Sequence, residues 1–464
     1  MDNKRELFEK TPVPKALATL AIPTIISQLI TMIYNLADTF FIGLANNPSQ
    51  TAASSISFTL VFMMACLSSL FGVGGGSLIS RLLGEKKDED AAGVSAFSFW
   101  GTFVISLAYS LGVLAFMNKL LYGIGATETS IGYARDYALY VVVLGAVPTC
   151  LAMTMSHLLR SEGYAKYAST GLGLGGVLNV ILDPIFMFVI LEPGNETKGA
   201  AIATLLSNII TLVYFIVVLA MIKNKSVLSI SPKKVVIKKH YITSLFAVGF
   251  PSALGSFLAC LSNIVINNLA SGYTADGVAD VPTAAIGIAK KIDMLPMNVG
   301  MGLCQGMMPL VAYNFASGDH KRMRAFARTA RTAGMLFAGV CILIFEIFAP
   351  QIVSVFNGDP STVKMGTDFL RILCLAVPLM IFNVQISFTF QAMGMGKQSL
   401  ILSSLRQGVV NIPLLFIMNG IFGLYGIVCT QIISDIITAV ISYAIYSSSC
   451  KKLLNNDTPS ENPA

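Results

Sequence analysis

The chain has 464 residues, 55% hydrophobic and only 12% charged, with a formal net charge of +7 and a mean hydropathy of +0.72. Soluble domains carry about 25% charged residues, so soluble multi-domain architectures are excluded and the basic excess does not point to nucleic acid. Twelve apolar stretches are each long enough to cross a bilayer, which takes about 20 residues. They are 15–45, 52–82, 92–117, 133–159, 167–191, 199–222, 242–272, 281–316, 325–349, 366–393, 400–422 and 424–449. The first fifteen residues are polar and the first span outruns a signal h-region, so no cleavable signal peptide is expected.

The first span carries Pro23, Asn35 and Asp38. An acid inside hydrocarbon costs about 2.5–3.5 kcal/mol on insertion scales, so its default reading is functional. The second span contains GVGGGS (72–77) and the fifth GLGLGG (171–176). Neither follows a strand in a βαβ unit, so both predict close helix packing rather than phosphate binding. The fifth span also holds Asn179, Asp183 and Pro184, and the sixth holds Thr204. Asp38 lies eight residues before Asn46 and Asp183 nine before Glu192. At 1.5 Å per residue both acids sit about 12–13 Å beneath the same membrane face. Asn35 and Asn179 share a helix face with their acids. This carboxylate, amide and hydroxyl set can take up a proton or coordinate Na⁺. Pro23 and Pro184 are candidate hinges, since proline removes a backbone hydrogen bond and bends a helix.

A basic segment, 223–241, separates the first six spans from the second six. The eighth span carries Lys290, Lys291 and Asp293, followed by Met294, Met297, Met301, Met307 and Met308. Lys290 and Asp293 at i, i+3 read either as a neutralising pair or, with Met294, Met297 and Met301, as cavity lining. The eight cysteines are scattered without CxxC spacing and read as small buried residues.

With the N-terminus inside, 24 of the 31 Lys and Arg residues fall on the inner face and five outside. That bias places both termini in the cytoplasm, with a tail over 451–464. The halves also repeat. AIPTIISQLI (21–30) echoes GFPSALGSFL (249–258), Pro148 matches Pro378, and GAAIATLLSNIIT (199–211) echoes GIVCTQIISDIIT (426–438). Six spans per copy preserve orientation, giving an all-α integral membrane fold of two parallel-repeat six-helix lobes around a central cavity. The lobes are 1–222 and 242–450. On this register Asp38 falls on Ile266 and Asp183 on Leu415, so the acids belong to the first lobe alone.

YNLADTFFIG (34–43), VLNVILDPIF (177–186), GAAIAT (199–204) and GMGLCQGMMPLVAYNFASG (300–318) resemble the multidrug and toxic compound extrusion (MATE) family. The resemblance covers essentially the whole chain and is nearest the MepA-like branch, allied to the DinF-like group. It implies a cation site at Asp38, Asn179, Asp183 and Thr204, and export of amphiphilic, often cationic, small molecules in exchange for H⁺ or Na⁺. It further implies no cofactor beyond that coupling cation, no enzymatic activity, membrane lipid as surroundings, and a monomer in a bacterial inner membrane. The chain departs from the NorM-type pattern, having Ala259 in the seventh span and no acid within 372–396. The alternative is a flippase or exporter of lipid-linked sugars or metabolites with the same two-lobe plan.

Overall fold

The computed structural model describes residues 2–44, 47–273 and 281–457. A short helix α1 (Asp2–Glu9) precedes the first-lobe helices α2 (Val13–Leu44), α3 (Pro48–Gly84), α4 (Asp88–Ile124), α5 (Ile131–Ala138), α6 (Ala146–Ser161), α7 (Ala165–Ile185) and α8 (Glu196–Ile222). The second lobe contains α9 (Lys239–Ser271), α10 (Val281–Ala316), α11 (His320–Phe356), α12 (Pro360–Ala392), α13 (Gly396–Ser404) and α14 (Asn411–Asp457).

Each of the twelve expected spans is helical. Among the described residues, nine helical runs are long and apolar enough to cross a membrane alone. A tenth crossing is the pair Ile131–Leu144 and Ala146–Ser161, bent by 50° around Gly145. The eleventh is α10, 36 residues long but diluted by Lys290, Lys291 and Asp293. The 54-residue run Gly396–Ser449 supplies two crossings, because Gly423 takes φ 58°, ψ −138°. Only glycine adopts such a φ freely, and the break brings Gly426 against Met418 and Asn419. The described part of the first span runs to Leu44, and Ala45 and Asn46 lie outside the described residues. The expected C-terminal tail is helical through Asp457, and 458–464 lie outside the described residues.

The repeat is visible in the packing. Gly176 of α7 meets Ile30 of α2, and its counterpart Gly408 meets Leu258 of α9. Gly199 packs on Met187 as Gly426 packs on Met418. Between the lobes, the basic segment is pinned to the first. Trp100 Nε1 donates to the Ile230 carbonyl at 3.0 Å, the Val227 amide to Glu162 at 2.9 Å, and Lys238 to Asp90 at 2.8 Å.

The lobes touch at one end. The largest hydrophobic cluster draws Leu17, Leu20, Ile79 and Leu82 together with Val248, Leu310 and Phe390 at the basic end. Toward the opposite end the core divides into separate clusters within each lobe, the larger ones around Leu121 and Val142 in the first and around Ile266 and Phe369 in the second. Glycines set how closely the basic ends approach. A Cβ on Gly302 would lie 2.6 Å from Ile25 Cα, and one on Gly306 2.5 Å from Ala21 Cα. Gly74 meets Leu245 and Gly249 in the same way. Ser77 Oγ donates to the Gln391 carbonyl at 2.6 Å across the gap. The amphipathic α1 straps both lobes there. Arg5 pairs with Asp88 at 2.9 Å, Tyr313 Oη donates to Glu9 at 2.6 Å, and Phe8 stacks on Tyr313. The molecule is therefore a V, closed at its basic end and open at the other.

Candidate ion-coupling site

Glycine spacing on α7 builds this site. A Cβ at Gly176 would stand 2.9 Å from Ile30 Cγ2 and 3.1 Å from Tyr34 Cδ1, and one at Gly171 2.5 Å from the Phe215 ring. Small residues let helix backbones approach closely, so α7 is drawn between α2 and α8. Asp38 on α2, Asn179 and Asp183 on α7, and Thr204 on α8 then converge.

Asp183 is fully buried and Asn179 nearly so, while Asp38 and Thr204 are half-buried. Asn179 Nδ2 donates to Asp183 Oδ1 at 3.2 Å and to Thr204 Oγ1 at 3.1 Å. Three buried oxygens remain without partners: Asp38 Oδ1, Asn179 Oδ1 and Asp183 Oδ2. The two carboxylates feel each other's charge, and both act on the hydroxyls of Tyr34 and Tyr137. Buried polar atoms are normally satisfied, so three unfilled acceptors on neighbouring helices form a place for a proton or a hard cation. Among the described residues no three His, Cys, Asp or Glu side chains cluster as metal ligands. A cation held here would use amide and hydroxyl oxygens as well.

Tyr34 and Tyr137 were missed in the sequence. Tyr34 lies one turn before Asp38, a spacing that could have flagged it. Tyr137 arrives from α5, and nothing local in the sequence marks it. Asn35 is exposed beside the cluster. Pro184 directly follows Asp183, and the next turn, Phe186–Ile190, widens to π geometry. π-bulges frequently mark functional sites. Pro23 sits in an unbroken α2, two residues beyond the Ala21 contact with Gly306.

The second lobe holds different chemistry at the matching place. A small cavity is lined by Ile266, Asn411, Leu415 and Gln431, the counterparts of Asp38, Asn179, Asp183 and Thr204, and by Lys290 and Asp293. Lys290 Nζ donates to Asn263 Oδ1 at 3.0 Å, while Asp293 lies within reach of the charges on Lys290, Asp435 and Arg406. Lys291, Met294 and Met297 are exposed and Met301 half-buried. Met307 and Met308 are core residues. Arg406, one of the 24 basic residues assigned to the inner face and also within the eleventh expected span, is buried and bound to Asp435 at 2.8 Å. Glu346 faces Arg371 at 3.6 Å.

The family model described as MatE matches residues 23–185 and again 251–417. The chain belongs to the MATE family. Two matches in one chain are what an internal duplication produces. Among curated MATE relatives, the multidrug export protein MepA of Staphylococcus saprophyticus is 31% identical over 444 residues, covering 96% of each chain. MepA of Staphylococcus aureus strain MRSA252 is likewise 31% identical over the same span. Two crystallised MATE transporters share the fold at TM-score 0.89. One, described as outward-facing, is 24% identical and covers 98% of this chain and 99% of its own. The other, in a straight conformation, is 23% identical and covers 97% and 98%.

Proposed function

We propose that this chain exports amphiphilic, often cationic, small molecules across a bacterial cell membrane in exchange for H⁺ or Na⁺, as a monomer with both termini in the cytoplasm. The observation that carries the reading is the pair of carboxylates on α2 and α7, each with an unfilled buried oxygen. The substrate class follows the relatives, which are named multidrug export proteins. The basic end supplies the orientation, because Lys and Arg concentrate on cytoplasmic ends. The V then opens outward.

In this state Asp38 and Asp183 take up the coupling ion from outside. Their mutual repulsion falls, the first lobe tightens around the filled site, and drug is released. The basic ends then part, the ion leaves to the cytoplasm, and drug enters from the inner side. One pH unit supplies about 1.4 kcal/mol per proton, and 100 mV adds about 2.3 kcal/mol per net charge moved. One proton exchanged for a neutral drug therefore sustains a gradient of several hundredfold.

The test is dye efflux from vesicles under imposed ΔpH or ΔNa⁺. Asp38→Asn and Asp183→Asn are each expected to reduce gradient-driven efflux to the passive rate. Undiminished efflux in both variants overturns the coupling assignment.

A further inference from the structure

Arg160 ends α6 at the basic end and is only 4% exposed. Its Nη1 donates to Gln305 Oε1 at 2.9 Å, joining α6 of the first lobe to α10 of the second. The other edge of the guanidinium is different. Nε and Nη2 are both buried and neither has a partner. These two N–H groups point the same way and form the fork that grips an anion through two parallel hydrogen bonds.

Counter-charge is missing as well. None of the ion pairs among the described residues includes Arg160. Arg406, the other arginine buried to this degree among them, has Asp435 at 2.8 Å. A guanidinium cannot shed its proton to escape burial, and an uncompensated buried charge is strongly unfavourable. Water can satisfy the two donors but does not supply the charge.

Arg160 lines a small interlobe cavity together with Gly72, Gly76, His157, Gln305 and Phe388, and no acid is among its lining residues. The glycines of GVGGGS keep it open, since a Cβ on Gly72 would come within 2.9 Å of the His157 ring and one on Gly76 within 3.3 Å of its carbonyl oxygen. We infer that this cavity binds a small anion, held by the Nε–Nη2 fork of Arg160, which completes the charge balance of the closed basic end. The site is remote from the carboxylate pair and rests on no part of the coupling proposal. Because Arg160 already bridges the lobes through Gln305, the bound anion stabilises the state in which their basic ends are joined.

Inorganic phosphate is the probe. Equilibrium dialysis of labelled phosphate against the full chain, delipidated in neutral detergent, is expected to show one saturable site per chain. Arg160→Gln should abolish it, and Arg160→Lys, which keeps the charge but not the fork, should weaken it about tenfold. A repeat in nanodiscs containing phosphatidylglycerol separates the two sources of this chemistry. Unchanged binding identifies a free anion, and binding lost only in those nanodiscs identifies a lipid headgroup phosphate on the same fork. No saturable site in the wild-type chain under either condition overturns the inference. Should Arg160→Gln fail to fold, phosphate binding to Arg160→Lys as tight as to wild type overturns it equally.

Discussion

The closed basic end depends on glycine at 306, and replacing it should loosen that end by a calculable amount. A Cβ there would stand 2.5 Å from Ala21 Cα, with Ala21 N at 2.7 Å and Leu20 C at 2.9 Å. All three atoms are backbone, so no rotamer change relieves the clash. Ordinary carbon contacts lie at about 3.5–4.0 Å, so α2 and α10 must separate by about 1–1.5 Å. Overpacking of this kind costs about 1–3 kcal/mol. The cost falls on the closed state and vanishes once the basic ends part. Gly306→Ala should therefore raise the population with its basic end open by about 5- to 150-fold. Ser77 provides the reporter, being 1% exposed and hydrogen-bonded across the gap to Gln391. In a Ser77→Cys background, alkylation at position 77, followed by peptide-resolved mass spectrometry, should accelerate at least fivefold when Gly306→Ala is added. An unchanged rate in a folded double variant would refute the claim that this contact seals the molecule.

Asn179→Leu removes the amide that ties Asp183 to Thr204. With the carboxylate hydrogen bond worth about 1.5–3 kcal/mol, the ion concentration giving half-maximal efflux should rise about tenfold or more while drug binding without a gradient is retained. Asp435→Asn leaves Arg406 buried without its acid. Breaking such a pair costs about 3–5 kcal/mol, which should appear as a marked drop in the detergent melting temperature, with Asp38→Asn as the mild comparison. Asp359 caps α12 by accepting from Thr362 N and Thr362 Oγ1, both at 2.8 Å, and the Thr362 amide foremost, then its hydroxyl, holds the Asp359 carboxyl below its usual range. A depressed folded pKa adds stability above the unfolded value of about 3.9 and loses it as pH falls through the folded one. The gap in melting temperature between wild type and Asp359→Ala should be full at pH 6 and narrow near pH 3.

Much of this molecule was legible because hydrocarbon imposes strict rules on sequence. A span must be long, apolar and internally hydrogen-bonded, so its limits show in hydropathy, and Gly423 falls between the last two expected spans. Asp38 and Asp183 stood out because an acid is costly there, and a helix converts residue number directly into depth. What depth does not give is azimuth. The sequence placed Asn35 and Asn179 alike beside their acids, yet Asn179 is buried and bridges Asp183 to Thr204 while Asn35 is exposed. Tyr137 entered the cluster for the same reason unseen, since its approach depends on how α5 leans on the rest of the lobe. Arg406 was counted with the inner face because span counting treats a basic residue as a boundary mark. Its partner Asp435 lies on another helix, and that pairing is tertiary information.

The two lobes have kept one scaffold and divided its chemistry. Asp38, Asn179, Asp183 and Thr204 correspond to Ile266, Asn411, Leu415 and Gln431, and all four of the latter line one cavity, so the position survived duplication while the titratable groups did not. The second lobe carries its buried charge as a satisfied pair, with Arg406 and Gln431 both donating to Asp435 at 2.8 Å and Asn383 donating to the same carboxylate at 3.3 Å. Both carboxylate oxygens of Asp435 are partnered, although Asn383 Oδ1 is left unfilled, and these bonds tie their helices together. The first lobe has the opposite design, leaving three acceptor oxygens unfilled between α2, α7 and α8. Such a site has two energetically distinct conditions, empty and repelling or filled and drawn together, and an ion can bias a structure only through that kind of difference. Under the proposed coupling, the first lobe is therefore the one that changes shape with ion occupancy, because it carries the two carboxylates with unfilled oxygens.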